Sequence, residues 1–309
     1  MSALQRAAKV GLSLGAAGLA AYKLLSDGAH RARIGEPAAE NVQEQAATAV
    51  VAAPKLRERA LLFGDSITQY SFGNKKTGEP GGWGGMVATE FARTLDVVNR
   101  GFSGYTTRGA LQVADQVLEP TAPAAKHKEY LFVTLFFGAN DSADKDLNPA
   151  QNVPVDEYKR NLAQLVDKAQ AVADHVVIIS PPAVDAPTWG ESRESGKSDR
   201  VNARTQKYCE AGREVAAEKG VLFVDTFHAM LRHNDWESFL NDGLHLSLRG
   251  NQLVYDELVR VLKNGAGISD DMLPFDFPQW RELSEAQFDE NGHFAKAWTK
   301  TLPYKCREY

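Results

Sequence analysis

The chain has 309 residues, of which 43% are hydrophobic and 24% charged, and carries a formal net charge of −5. This composition excludes a disordered chain and a multispan membrane protein, and mild acidity without a basic stripe leaves no electrostatic footprint for nucleic acid. Cys209 and Cys306 are the only cysteines, too few for a disulfide scaffold or a cysteine zinc site.

The N-terminus reads as an address. Residues 1–26 contain no acid, carry Arg6, Lys9 and Lys23, and run uncharged from Val10 to Tyr22. That run has the length of a signal-peptide apolar region and falls short of the roughly 18 apolar residues of a membrane span. On a helix, at about 100° per residue, the three cations fall on one side and Leu4, Leu14 and Leu25 on the other, as an organelle transit peptide requires. Organelle import and a secretory signal or anchor both remain open, each implying contact with a membrane or translocation machinery. The plain alternative is an Ala-rich extension on a cytoplasmic protein. Residues 27–54 are polar and lack a lasting apolar period, so 1–54 is read as a targeting and linker segment preceding one domain over 55–309.

Within that domain, apolar runs of strand length at 60–63, 96–99, 130–137, 175–180 and 221–225 alternate with helical patterns at 83–95, 105–118, 155–173, 202–219 and 247–263. The strands are apolar on both faces, the signature of parallel strands covered on both sides. The clearest helix is 155–173, where Tyr158, Leu162, Leu165, Val166, Ala169 and Val172 follow the i, i+3, i+4 rule. A βα repeat of this kind predicts an α/β fold, an open, doubly wound, five-stranded and mainly parallel sheet in a three-layer α/β/α sandwich of flavodoxin-like kind.

Such a sheet binds ligands outside the carboxyl ends of its strands. Gly64-Asp65-Ser66-Ile67 follows the first strand, Gly101 of Asn99-Arg100-Gly101 lies just beyond the second, and Gly138-Ala139-Asn140-Asp141 follows the third. Asp242-Gly243-Leu244-His245 precedes the last helix. A serine hydroxyl is a weak nucleophile that needs a base within hydrogen-bond reach, and His245 is the candidate base for Ser66. Asp242, three residues earlier, can fix the imidazole tautomer. The backbone N–H groups of Ser66 and Gly101 and the side-chain amide of Asn140 can form an oxyanion hole, with Asp65 and Asp141 in support. Each segment alone has a plainer reading: Ser66 as a helix cap, Asn140-Asp141 as turn chemistry, Gly101 and Gly104 as a bend. Their shared order at strand ends favours the joint catalytic reading.

These four segments resemble the four sequence blocks of the SGNH (GDSL-type) hydrolases, with Ile67 where the name-giving pattern has Leu. Within that superfamily, the stretch from about residue 59 to 262 resembles the isoamyl acetate-hydrolysing esterase branch, and Val176 to Pro182, Asp242 to Ser247 and Leu273 to Trp280 are the parts most similar to it. The resemblance implies a serine ester hydrolase with Ser66, Gly101, Asn140 and His245 in its site and Asp242 completing the triad. Small or medium carboxylic esters, acetate-like, are the expected substrates. Sugar O-deacetylation, lysophospholipid cleavage and thioester cleavage use the same machinery, and a non-catalytic binding protein is the alternative from another class. Serine acyl transfer requires neither a metal nor an organic cofactor, so none is expected. Oligomeric state is not legible.

Other features are read as structural. Asp225 and His228 lie apart from any nucleophile segment, and Gly81-Gly82-Trp83-Gly84-Gly85 lacks the Lys-Ser/Thr ending of a phosphate loop. Beyond Gly265, Phe275, Phe277, Trp280, Phe288, Phe294, Trp298 and Tyr304 are too aromatic to stay in water and are expected to pack on the body of the domain, line an acyl pocket or form a subunit interface.

Overall fold

A computed structural model describes residues 57–74, 78, 80–119, 128–193 and 195–273. The N-terminal segment read as an address, the segment read as a linker and the aromatic stretch from 274 lie outside the described residues. Five parallel strands, β1 (Glu58–Gly64), β2 (Leu95–Gly101), β3 (Tyr130–Phe136), β4 (Ala173–Ile179) and β5 (Leu222–Val224), form one sheet in the order β2-β1-β3-β4-β5. The expected sheet is therefore present and entirely parallel.

Alternation along each strand sends side chains to opposite faces. Leu61, Phe63, Val133, Leu135 and Ile178 point into one core, closed by α3 (Thr107–Val117), α4 (Val155–Val172) and α6 (Asn202–Lys219). Ala60, Leu62, Phe132, Phe136 and Val177 point into the other, closed by α2 (Trp83–Glu90) and α8 (Leu248–Ala266). Both faces are covered, which is why the inner strands show no polar side, while edge strand β2 keeps Asp96 and Arg100 exposed. The chain leaves β1 for β2 on one side and later returns across β1 to β3, which makes the carboxyl ends of β1 and β3 the topological switch point where such sheets bind ligands.

Helix α2 ends at Glu90, short of the expected 95. Arg93 adopts a left-handed φ of 69°, and that reversal turns the chain directly into β2. Three short helices were not legible as periodic patterns: α1 (Ser66–Gln69), α5 (Ala186–Glu191) and α7 (Thr226–Leu231). None is long enough to show an apolar stripe. The Gly81–Gly85 run serves packing. A Cβ at Gly82 would fall 2.7 Å from the Ser71 carbonyl and one at Gly84 2.4 Å from the Ser71 hydroxyl, while Trp83 is fully buried and donates to the Ile67 carbonyl. No described helix is long and apolar enough to cross a membrane.

Candidate active site

Strand β1 ends at Gly64, and Asp65 caps α1 by accepting the Ile67 N–H at 2.9 Å. Ser66 is thus the first residue of α1, where a backbone N–H has no partner within the helix; among the described residues it has none elsewhere. Asp65 does the capping, which leaves the Ser66 side chain available.

The Asp242–His245 turn closes on itself. Asp242 Oδ1 accepts the backbone N–H groups of Leu244 (3.0 Å) and His245 (2.8 Å), and Oδ2 lies 2.7 Å from His245 Nδ1. His245 Nε2 then lies 3.0 Å from Ser66 Oγ. With Nδ1 donating to the carboxylate, Nε2 is left as the acceptor for the serine proton. Burial raises the Asp242 carboxyl, but hydrogen bonds from the His245 ring and from the two backbone N–H groups outweigh it and hold it below its ordinary value. The rings of Tyr70 and Trp189 stand edge-on to the imidazole, with centroids at 5.6 and 6.0 Å.

Asn140, buried after β3, sends Nδ2 to the Tyr105 carbonyl at 2.9 Å and has only a long 3.4 Å contact from Nδ2 to Asp65 Oδ2. Asp141 turns the other way. Its Oδ1 accepts the backbone N–H (2.9 Å) and hydroxyl (2.5 Å) of Thr107, tying the Asn140 loop to the start of α3. Burial pushes Asp65 up to about 7 and Asp141 up to about 6.

Gly101 departs from the expectation. Its N–H donates to Asn99 Oδ1 at 2.9 Å, so it is already satisfied inside the protein, and a Cβ there would lie 1.9 Å from the backbone nitrogen of Gln69. Gly101 is glycine because β2 runs against α1. Gly104, three residues beyond the strand end, is exposed, has a left-handed φ of +81°, and its N–H has no partner among the described residues. An available donor must lie beyond the strand end rather than in the ladder, and Gly104 has that place in the sequence.

A second missed residue is Arg200, which precedes α6 and is 2% exposed. Nothing in its local sequence marks it as buried. Asp225 and His228 behave as read from the sequence: Asp225 caps α7 through the His228 N–H (3.1 Å) and pairs with the Arg213 guanidinium. Cys209, Asp225 and His228 present donor atoms within 4.8 Å of one another, the one such trio among the described residues. With Arg213 already on the carboxylate, the trio reads as the cap of α7 rather than a metal centre.

A model of the GDSL-like lipase/acylhydrolase family matches residues 62–253. The chain belongs to this family. An isoamyl acetate-hydrolyzing esterase 1 homolog of Bos taurus is 37% identical over 244 residues, covering 76% of this chain and 91% of that protein. A GDSL esterase/lipase of Arabidopsis thaliana is 36% identical over 234 residues, covering 72% and 92%. The fold is shared with a lipase/acylhydrolase from Enterococcus faecalis at a TM-score of 0.53 and 23% identity, over 72% of this chain and 100% of that one. Membership in the GDSL-like family makes the chain an ester hydrolase acting on small-molecule esters.

Proposed function

We propose that this GDSL-family member is a serine esterase that cleaves small to medium carboxylic esters, acetate-like in the acyl part, through an acyl-enzyme. The observation that carries the reading is the continuous line of hydrogen bonds from Asp242 through His245 to Ser66. Ser66 Oγ attacks the ester carbonyl carbon while its proton passes to His245 Nε2, and Asp242 stabilises the imidazolium that forms. Negative charge on the carbonyl oxygen is met by the N–H groups of Ser66 and Gly104 and by the Asn140 amide, each such donor contributing about 3 kcal/mol in comparable sites. His245 returns the proton to the departing alcohol. Water then repeats the sequence on the acyl-serine and releases the acid.

Support for acetate-like esters comes from the relative named for isoamyl acetate hydrolysis, which is 37% identical over most of this chain. Ser66→Ala tests the proposal: turnover of 4-nitrophenyl acetate and labelling by a fluorophosphonate are both expected to vanish in a variant with an unchanged circular dichroism spectrum. Full turnover in that variant would refute it. A panel of acyl chain lengths and leaving groups, including acetylated sugars, lysophospholipids and thioesters, separates the substrate classes.

A further inference from the structure

An oxyanion donor is useful only if its hydrogens stay aimed, and a primary carboxamide can turn over and present oxygen in place of nitrogen at almost no steric difference. Something must decide which way Asn140 faces. Its Nδ2 donates to the Tyr105 carbonyl at 2.9 Å, and its Oδ1 accepts from Arg200 Nη2 at 3.0 Å and from Gln151 Nε2 at 3.2 Å. A turned amide would set its NH2 group against these donors. The same guanidinium donates through Nε to the carbonyl of Ala139 at 2.8 Å, so it holds both the peptide that leads into Asn140 and the side chain itself.

Two of the three remaining N–H groups of the guanidinium are also bonded. Nη2 also reaches Gln151 Oε1 at 2.7 Å, and Nη1 reaches Asp199 Oδ1 at 2.6 Å. Asp199 Oδ1 accepts the indole N–H of Trp189 at 2.8 Å, and the Trp189 ring is the one standing edge-on to His245. Arg200 and Asp199 are 2% exposed, so this ion pair is shut away from water. A buried arginine with four of its five N–H groups on the loops around the site is an expensive way to stabilise a fold, since apolar side chains of similar volume often do as well.

We propose that Arg200 is a positioning residue for ester cleavage: it holds the Asn140 amide with its nitrogen toward the reacting carbonyl and polarises it. A charge-assisted hydrogen bond on the amide oxygen draws electron density from the nitrogen and makes its hydrogens better donors. The effect grows as the oxyanion forms, so it acts on kcat rather than on substrate affinity. Lysine cannot replace it, because one ammonium lacks the planar fork that spans Ala139, Asn140 and Asp199 together.

The proposal rests on the serine esterase reading, and the test is a double-mutant cycle on the full chain with 4-nitrophenyl acetate. Arg200→Lys is expected to lower kcat by about 10- to 100-fold with KM held within twofold, short of the 10²–10³ that loss of an oxyanion donor itself costs. In an Asn140→Ala background the same change is expected to alter kcat by less than about twofold, the margin within which independent effects add. Equal losses in both backgrounds, an unchanged kcat, or a loss confined to KM would overturn it. Should Arg200→Lys fail to fold, the cycle is repeated with Arg200→Gln made together with Asp199→Asn, which leaves no unpaired charge buried. Failure of both variants to fold would assign Arg200 to folding alone and likewise overturn the proposal. Ser66→Ala run alongside keeps the two readings apart: activity there refutes the esterase chemistry, whereas its loss with equal Arg200 effects in the two backgrounds refutes only the positioning role.

Discussion

His245 Nε2 stands 3.0 Å from Ser66 Oγ although 179 residues separate them in the chain. Their meeting follows from topology: β1 is the second strand of the sheet, and the turn before α8 returns to its carboxyl end after the chain has wound through β5. His245→Ala is expected to lower kcat by about four orders of magnitude or more, and Asp242→Asn by about 10⁴ through loss of the correct tautomer. Steady-state kinetics with 4-nitrophenyl acetate check both. Less than a tenfold loss in either would contradict their roles.

The two glycines at and beyond the end of β2 should respond in opposite ways. Gly101→Ala forces a Cβ to 1.9 Å from the Gln69 nitrogen, a backbone clash that is expected to unfold the region and lower the melting temperature sharply. Gly104→Ala meets no backbone, its nearest neighbour being Gln151 Nε2 at 3.6 Å, but must hold a φ of +81°, a strain of about 1–2 kcal/mol. That variant is expected to fold and to lose kcat by up to about 10² as the N–H is displaced. Melting curves and kcat for the pair decide the matter, and an active, stable Gly101→Ala would restore that residue as a donor.

Stability should fall as pH rises through the range where Asp65 and Asp141 ionise. Burial pushes their carboxyls up to about 7 and about 6 in the folded chain, from an ordinary value of 3.8. Between about pH 4 and 7 the folded form therefore binds more protons than the unfolded one, so the unfolding free energy decreases with pH and levels off above 7. The upper bound for Asp65 is roughly 4 kcal/mol at ~1.4 kcal/mol per pH unit. Urea midpoints from pH 4 to 8 measure the slope, and Asp65→Asn is expected to flatten its upper part. A slope that survives the substitution would show that other groups set it.

Cys209 should be inert in the native protein. It is fully buried, and burial pushes its thiol up to about 12, with the Asp225 carboxylate adding to the effect. Iodoacetamide at pH 8 followed by peptide mapping is expected to modify Cys209 only after denaturation, because the thiolate is the reactive form. Rapid native labelling would mean that the α7 cap opens readily.

Residues 1–40 fused to a fluorescent reporter are expected to direct it to an organelle or the secretory membrane, on the strength of the acid-free, cationic and apolar run in residues 1–26. Diffuse cytosolic fluorescence would return the segment to a plain extension.

Much of this molecule could be read along the chain because its signals are local. Doubly apolar strands, the 3.6-residue stripe of α4 and the turns after β1 and β3 depend on neighbours a few residues away, so the sheet, its covered faces and the places of Ser66, Asn140, Asp242 and His245 followed from sequence. The short helices α1, α5 and α7 did not, since fewer than two turns carry no period.

Sequence alone determined which chemical groups reach the rim of the sheet, because strand ends and polar turns are set by local pattern. Only the tertiary structure decided which of them are available. Gly101 and Gly104 are the same residue type three positions apart, one ending the strand and one beyond it, and the Asn99 side chain occupies the N–H of the first. Arg200 looks like any surface cation until α6, the Asn140 loop and Trp189 enclose it. Hydrogen-bond partners and burial arise from contacts across tens of residues, and that long-range closure is invisible to a reading that proceeds one segment at a time.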